Sequence, residues 1–273
     1  MQLTDADFIK LRDYMYNNFG LNLAQKRTLI EGRLSNTLTQ KGYKSFAEYI
    51  DYLMTSQSDT EVSFLVSKLT TNFTYFMRDE QHFEFLSKVI LPEFVPRIRD
   101  GNLAIWSAGC SSGEEPYTLA MCLDDYFGAR KNGLDTRVLA TDISEKVLAL
   151  AKNGVYEHGH ISKIPKSWET KYFDKIGDDA YQVKQSIKKE VIFRKFNLME
   201  PTFKFRRKFH VIFCRNVMIY FDADTRRNLA RRFADSLMPG GYLIIGMSEN
   251  LLNDNDLFTY VRPSIYRKSE RRR

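Results

Sequence analysis

The sequence is poor in the groups on which much enzyme chemistry relies. Its 273 residues include only three cysteines and four histidines. Cys110, Cys122 and Cys214 are odd in number and form no CxxC pair, which argues against a disulfide framework or a cysteine-rich metal site. They are expected to be reduced core thiols. His82, His158, His160 and His210 stand in no recognisable catalytic setting, and no metal is expected. There is no run of about 18 apolar residues, so no membrane insertion is expected. The opening MQLTDADFIK carries acids and no apolar stretch, which argues against a secretory signal and for a cytoplasmic location. Internal repeats are absent. The one biased tract is the terminal RKSERRR, read as a disordered tail.

What is present is ordinary core material, 43% hydrophobic against 27% charged residues, enough for one large domain or two smaller ones. A net charge of +7 points to an acidic partner, which the charge alone leaves open as nucleic acid, anionic membrane or acidic protein. Residues 1–78 carry no strand signal and predict a helical domain. Thr4 with Asp7 and Ser45 with Glu48 resemble capping boxes, and Gly20 and Gly42 are expected helix stops. Helices are predicted at about 23–40 and 60–69. Residues 79–273 change pattern. LAIWSA (103–108), RVLATDI (137–143), VIFRKF (191–196), FHVIFC (209–214) and YLIIGM (242–247) alternate with amphipathic stretches. That rhythm predicts an α/β fold, a mostly parallel sheet with helices on both faces. Pro239-Gly240-Gly241 is read as the turn that launches the last of these strands. Residues 154–190 break the rhythm and predict a small inserted antiparallel β subdomain.

Ligands of such sheets bind beyond the carboxyl ends of the strands. There the sequence places WSAGCSSGEEPY (106–117), Asp142, Asn197, and Arg215 with Asn216. A dinucleotide fold would use G-x-G-x-x-G to seat a pyrophosphate on a helix N-terminus. Here the spacing is Gly109-x-x-x-Gly113, and Glu114 and Glu115 stand at the helix start and repel a phosphate. A ligand with ribose and adenine, no phosphate and a cationic centre fits better, and S-adenosylmethionine has that composition. Asp142 stands where an acid that binds ribose hydroxyls belongs.

The runs LTTNFTYFMRDEQHF (69–83), SAGCSSGEEPYTLAM (107–121), ATDIS (140–144), FNLME (196–200), IFCRNVMIYFD (212–222) and GMSENL (246–251) closely resemble the CheR-type chemoreceptor glutamate methyltransferases. The match runs in order from about residue 60 to 268. The resemblance implies a helical N-terminal domain before a Rossmann-like, class I S-adenosylmethionine-dependent methyltransferase domain with an inserted β subdomain. It implies cofactor contacts at Asn72, Thr74, Arg78, Glu115, Asp142, Asn197, Leu198, Arg215 and Asn216. It further implies catalytic placement by Arg78 and Tyr220, and receptor helices as partners. The loop DKIGDDAY (174–181) is short against that family's, which suggests an enzyme that needs no receptor tether.

Methyl transfer to glutamate suits this inventory. The nucleophile is a carboxylate with an ordinary pKa of about 4.3, ionised at neutral pH, so no general base is required. Positioning is what the protein must supply, by a guanidinium such as Arg78. Each residue also has a plainer reading. Arg78 would pair with Asp79 or Glu80, Tyr220 would fill the core, and Lys26, Arg27 and Arg33 would be solvated charge. Against the last stands receptor docking by Lys26 and Arg33, which are seven residues apart on one helix face. Arg27 has no account from sequence. A nucleic-acid methyltransferase and a non-catalytic cofactor-binding module remain alternatives. The first lacks a Pro-Pro-aromatic or Pro-Cys element, and the second does not explain Arg78 with Tyr220. A monomer that binds no nucleic acid is expected.

Overall fold

The computed structural model describes residues 1–56, 58–71, 73–131, 133–251 and 257–269. Four helices come first: α1 (Asp5–Phe19), α2 (Arg27–Gln40), α3 (Phe46–Ser56) and α4 (Asp59–Leu69). Their ends follow the sequence signals. Thr4 Oγ1 accepts the Asp7 N–H at 3.2 Å, and Ser45 Oγ accepts the Glu48 N–H at 3.1 Å while Glu48 reaches back to the Lys44 N–H at 2.7 Å. Gly20 closes α1 in the left-handed conformation at φ 68°. Side chains such as Leu11, Met15, Ile30, Leu34, Ile50 and Leu53 are fully buried between these helices.

An irregular stretch then joins α5 (Gln81–Phe85), a π-turn at Leu86–Ile90 and α6 (Leu91–Phe94). The sheet begins with β1 (Ile105–Ala108), followed by α7 (Glu114–Phe127), β2 (Val138–Asp142) and α8 (Glu145–Asn153). The insertion comprises β3 (Val155–Glu157), α9 (His158–Ile161), α10 (Lys166–Tyr172), β4 (Phe173–Lys175), β5 (Ala180–Val183) and α11 (Gln185–Lys188). Its strands form a separate antiparallel sheet in the order β3-β5-β4. The chain then returns through β6 (Val191–Lys195), β7 (Phe209–Cys214), α12 (Ala223–Ser236) and β8 (Leu237–Ile245) to a closing hairpin, β9 (Phe258–Arg262) and β10 (Ile265–Lys268).

The main sheet has the order β6-β2-β1-β7-β8-β10-β9, parallel from β6 to β8 and antiparallel beyond. Burial on both faces explains why its central strands read as continuous apolar runs. Ile105, Val211, Phe213 and Ile244 join the core on one face with α7. Trp106, Ile212, Cys214, Leu243 and Ile245 join the other, which is continuous with α1 to α4 and α12. The helical front and the sheet thus share one apolar core.

Two expectations need correction. Pro239-Gly240-Gly241 does not precede the last parallel strand but lies inside it. The register jumps from Phe209↔Leu237 to Val211↔Tyr242, and Gly240 absorbs the irregularity at φ 73°. The basic tail is not wholly unstructured, since Arg267 and Lys268 belong to β10, and its residues 270–273 lie outside the described residues. Arg267 donates to the Gly240 carbonyl at 3.1 Å and also pairs with Glu93.

Candidate active site

The chain leaves β1 through a turn that only small residues can make. Gly109 and Cys110 both donate their N–H to the Thr141 carbonyl, at 2.8 and 2.9 Å. Gly109 sits at φ 88°, and a Cβ there would come 2.4 Å from Val217 Cγ2. Gly113, at φ 99°, would drive a Cβ to 2.9 Å from that of Ala151. Between them Ser111 holds φ 48°, a left-handed conformation that costs free energy outside glycine. Asp142, at the end of β2, offsets that cost. Its Oδ2 accepts the Ser111 N–H and its Oδ1 the Ser144 N–H, each at 2.9 Å. Burial pushes the Asp142 carboxyl up from its ordinary value, and those backbone N–H groups oppose the shift.

The two acids at the start of α7 have separate fates. Glu114 is fully buried and accepts from Ser112 Oγ at 2.7 Å and from His160 Nδ1 at 2.8 Å. That bond raises the pKa of His160. Glu115 faces the cleft instead. It accepts from Ser107 Oγ at 2.6 Å and from Arg215 at 3.1 Å. No phosphate can sit at this helix start.

Arg215, after β7, holds the centre together. Its side chain is 3% exposed and lies between Glu115 and Asp79, the latter at 2.7 Å. It also donates to the Arg78 carbonyl and lies over the Phe83 ring, while its Nε has no hydrogen-bond partner among the described residues. Asp79 is therefore committed to Arg215 and not to Arg78. Asn216 follows at φ 59°, held by Glu249, whose buried carboxylate accepts the N–H groups of Gly246, Asn216 and Ile219 at 2.6, 3.0 and 3.1 Å.

These elements surround a cavity of about 140 Å³. Thr74, Arg78, Glu115, Asp142, Asn197, Leu198, Arg215, Asn216 and Tyr220 all line it, as do Phe19 at the end of α1 and Leu21 just beyond it. Asn72 lies outside the described residues. The helical front is tied down at this wall. Asn197 Nδ2 donates to the Asn18 carbonyl at 2.8 Å, and the Asn22 N–H to the Tyr220 carbonyl at 2.9 Å. Tyr220 is half-buried, and its hydroxyl does not simply face water. It accepts the Thr71 N–H at 2.8 Å and donates to the Thr71 carbonyl at 3.2 Å. Tyr220→Phe should therefore loosen the segment that leads to Thr74 and Arg78, at a cost of about 0.5–1.5 kcal/mol in stability. Turnover should fall while cofactor affinity is largely kept, and wild-type turnover would reduce Tyr220 to packing.

Lys26 and Arg33 lie away from the cavity lining. Lys26 is exposed and precedes the first helical residue of α2. The Arg33 guanidinium donates to the carbonyls of Lys68 and Thr70 at 3.0 and 3.1 Å, and so caps α4 from outside. Arg27, which had no account from sequence, pairs with Asp5 and the Leu3 carbonyl.

Asp79, Glu249, Ser107 and the α1–α2 wall were not foreseen. Glu249 stands in GMSENL, a run singled out by resemblance and given no role, and the partner of a buried arginine has no signature of its own. The thiols of Cys110, Cys122 and Cys214 are buried and free, and burial pushes all three pKa values up, which disfavours a thiolate nucleophile. His82 is fully buried, and neither ring nitrogen has a hydrogen-bond partner among the described residues. Burial, then the charge of Arg215, pushes its pKa down to about 4. Below pH 6.5 an unfolded His82 takes up a proton that the folded protein refuses until about pH 4. Stability should therefore fall as pH drops through that window, and His82→Leu should flatten the fall in urea midpoints. An unchanged slope would assign it to other groups.

The model of the CheR methyltransferase S-adenosylmethionine-binding domain matches residues 72–266, and that of the CheR methyltransferase all-alpha domain matches residues 6–70. The chain belongs to the CheR methyltransferase family. It is 45% identical over 273 residues to a chemotaxis protein methyltransferase of Borreliella burgdorferi, covering 98% of this chain and 96% of that one. Identity is 36% to chemotaxis protein methyltransferase 1 of Pseudomonas aeruginosa, covering 98% of this chain and 99% of the other. It is 34% to the chemotaxis protein methyltransferase of Escherichia coli, covering 99% and 93%. The CheR chain is thus an S-adenosylmethionine-dependent methyltransferase, and its cavity agrees with that cofactor. The glycine turn at Gly109–Ser111 lines the cavity beside Asp142, and the acids at α7 discourage phosphate. Among the described residues no helix is long and apolar enough to cross a membrane, and no cluster could hold a metal ion.

Proposed function

We propose that this CheR enzyme methylates glutamate side chains of chemotaxis receptors, giving the methyl esters used in adaptation. The observation that carries the reading is Arg78. Its half-buried guanidinium lines the cavity and donates to the Phe73 carbonyl at 2.8 Å. With Asp79 committed to Arg215, Arg78 has no ion-pair partner among the described residues. A guanidinium with free donors at a cavity wall is suited to orient a substrate carboxylate. The cofactor supplies an electrophilic methyl group, and the protein supplies alignment. Asp142 would accept from the ribose hydroxyls. Thr74, Glu115, Asn197, Leu198, Arg215 and Asn216, with Asn72, would complete the cofactor wall. Tyr220 would hold the Thr71 segment so that Arg78 stays in line. No histidine lines the cavity, in keeping with a nucleophile already ionised.

In this reading helices α1 to α4 dock the receptor, and the domain that follows, with Thr74 and Arg78 at its start, carries out the transfer, in the cytoplasm and as a monomer. Lys26 remains the better of the two proposed docking cations, because Arg33 already has an internal task. Incubation with methyl-labelled cofactor and either receptor-bearing membranes or RNA tests the proposal. Label on the receptor that alkali releases is the expected result. Alkali-stable label, or label on RNA alone, would overturn it.

A further inference from the structure

The positive charge of the chain is not spread evenly. Between Lys204 and Arg232 there are nine lysines and arginines against two aspartates, within a protein whose net charge is +7. One of the nine, Arg215, is consumed in the site, and Arg232 packs over Phe203 and donates to the Glu200 carbonyl at 2.8 Å. That last contact seats the loop of residues 200–208 against α12. Lys208 strengthens the seat by donating to the Asp235 carbonyl. Of the remaining seven cations, Arg226 donates to the Asp222 carbonyl at 3.4 Å at the start of α12. The other six form one ridge, with Arg227 and Arg231 one turn apart on α12, followed a turn later by the exposed Asp235, and Lys204, Arg206, Arg207 and Lys208 on the loop. Arg227 pairs with Asp224, and Arg207 pairs with Asp100 at 3.5 Å where both side chains are more than 60% exposed, so the latter bond holds little. Lys204 and Arg206 are exposed and have no side-chain partner among the described residues.

The ridge has a direction. α12 starts at its cap Asp222, immediately after Tyr220 and Phe221 in the cavity wall, and runs to the foot of β7 where the loop lies. Its 14 residues span roughly 21 Å. A line of cations leading away from an active site calls for an acidic rod.

We propose that the α12 and 204–208 ridge is a second receptor-docking surface, which takes an acidic helical segment lying along it with one end at the cavity. This rests on the glutamate-methylating reading and adds a partner contact to it. Other polyanions fit less well. None of the large exposed apolar side chains lies on the ridge, so nothing there would insert into a membrane. Phe203 and Phe205 are packed on Trp106, with centroids at 5.5 and 4.8 Å, so they do not offer rings for bases to stack on.

The test is the binding of the full-length enzyme to a synthetic helical peptide carrying glutamates at seven-residue spacing. Phosphatidylglycerol vesicles and duplex RNA serve as competing probes. Lys204→Glu with Arg206→Glu touches no internal partner and should leave cofactor affinity unchanged, which also reports that the variant is folded. Peptide binding should weaken about tenfold at low ionic strength, and the difference should shrink with salt. Equal peptide affinity of variant and wild type, or wild-type binding to vesicles or RNA in preference to the peptide, would overturn the proposal. Because the readout is binding, a failure here is distinguishable from a failure of methyl transfer.

Discussion

Arg215→Leu is expected to lose about 3–5 kcal/mol of folding stability, because a buried cation would be removed and two acids left without it. Among the described residues Glu115 would keep only Ser107, and Asp79 would lose its only ion-pair partner. The Arg78 carbonyl would lose its donor as well, so the segment that holds the Arg78 side chain would relax. Urea unfolding measures the first effect. The variant should also bind cofactor poorly under conditions where it remains folded, because Arg215 and Glu115 face the cavity together. A loss below about 1 kcal/mol would mean that this pair network is worth no more than an exposed one.

Asp142→Ala should weaken cofactor binding by about 1.5–3 kcal/mol, the usual range for a hydrogen bond to a charged group. The geometry adds a second route to the loss. The same carboxylate holds Ser111 at positive φ by accepting its N–H, so the variant also frees the glycine turn. Asp142→Asn keeps an acceptor oxygen and should lose less. Calorimetry on both variants separates the contributions. Unchanged affinity in folded Asp142→Ala would remove Asp142 from the cofactor site.

The sequence made some of this legible because certain effects are local. Helix caps at Thr4, Ser45 and Gly20 depend on residues within one turn, and each was read correctly. The parallel strands were visible because both faces are buried. The closing hairpin was not, since four of the five residues of β9 are exposed and Pro263 interrupts the apolar pattern. Pro239-Gly240-Gly241 misled because its turn chemistry is real but is used for a bulge. In the site, Asp142 was legible by its place at a strand end. Asp79, Glu249 and the Tyr220–Thr71 contact were not, because they join residues distant in sequence whose meeting depends on the whole fold. Arg33 shows the converse limit, since a charge that looked free on a helix face is used to cap a neighbouring helix.

The central claim is that this cavity directs a methyl group to a carboxylate. Residue-level mass spectrometry of receptor protein after incubation with enzyme and S-adenosylmethionine tests it most directly. The account predicts methyl esters on glutamate side chains that form with wild type and are strongly reduced with Arg78→Met at saturating cofactor. Methylation found instead on lysine, arginine or histidine nitrogen, or esters formed equally by the Arg78 variant, would contradict it.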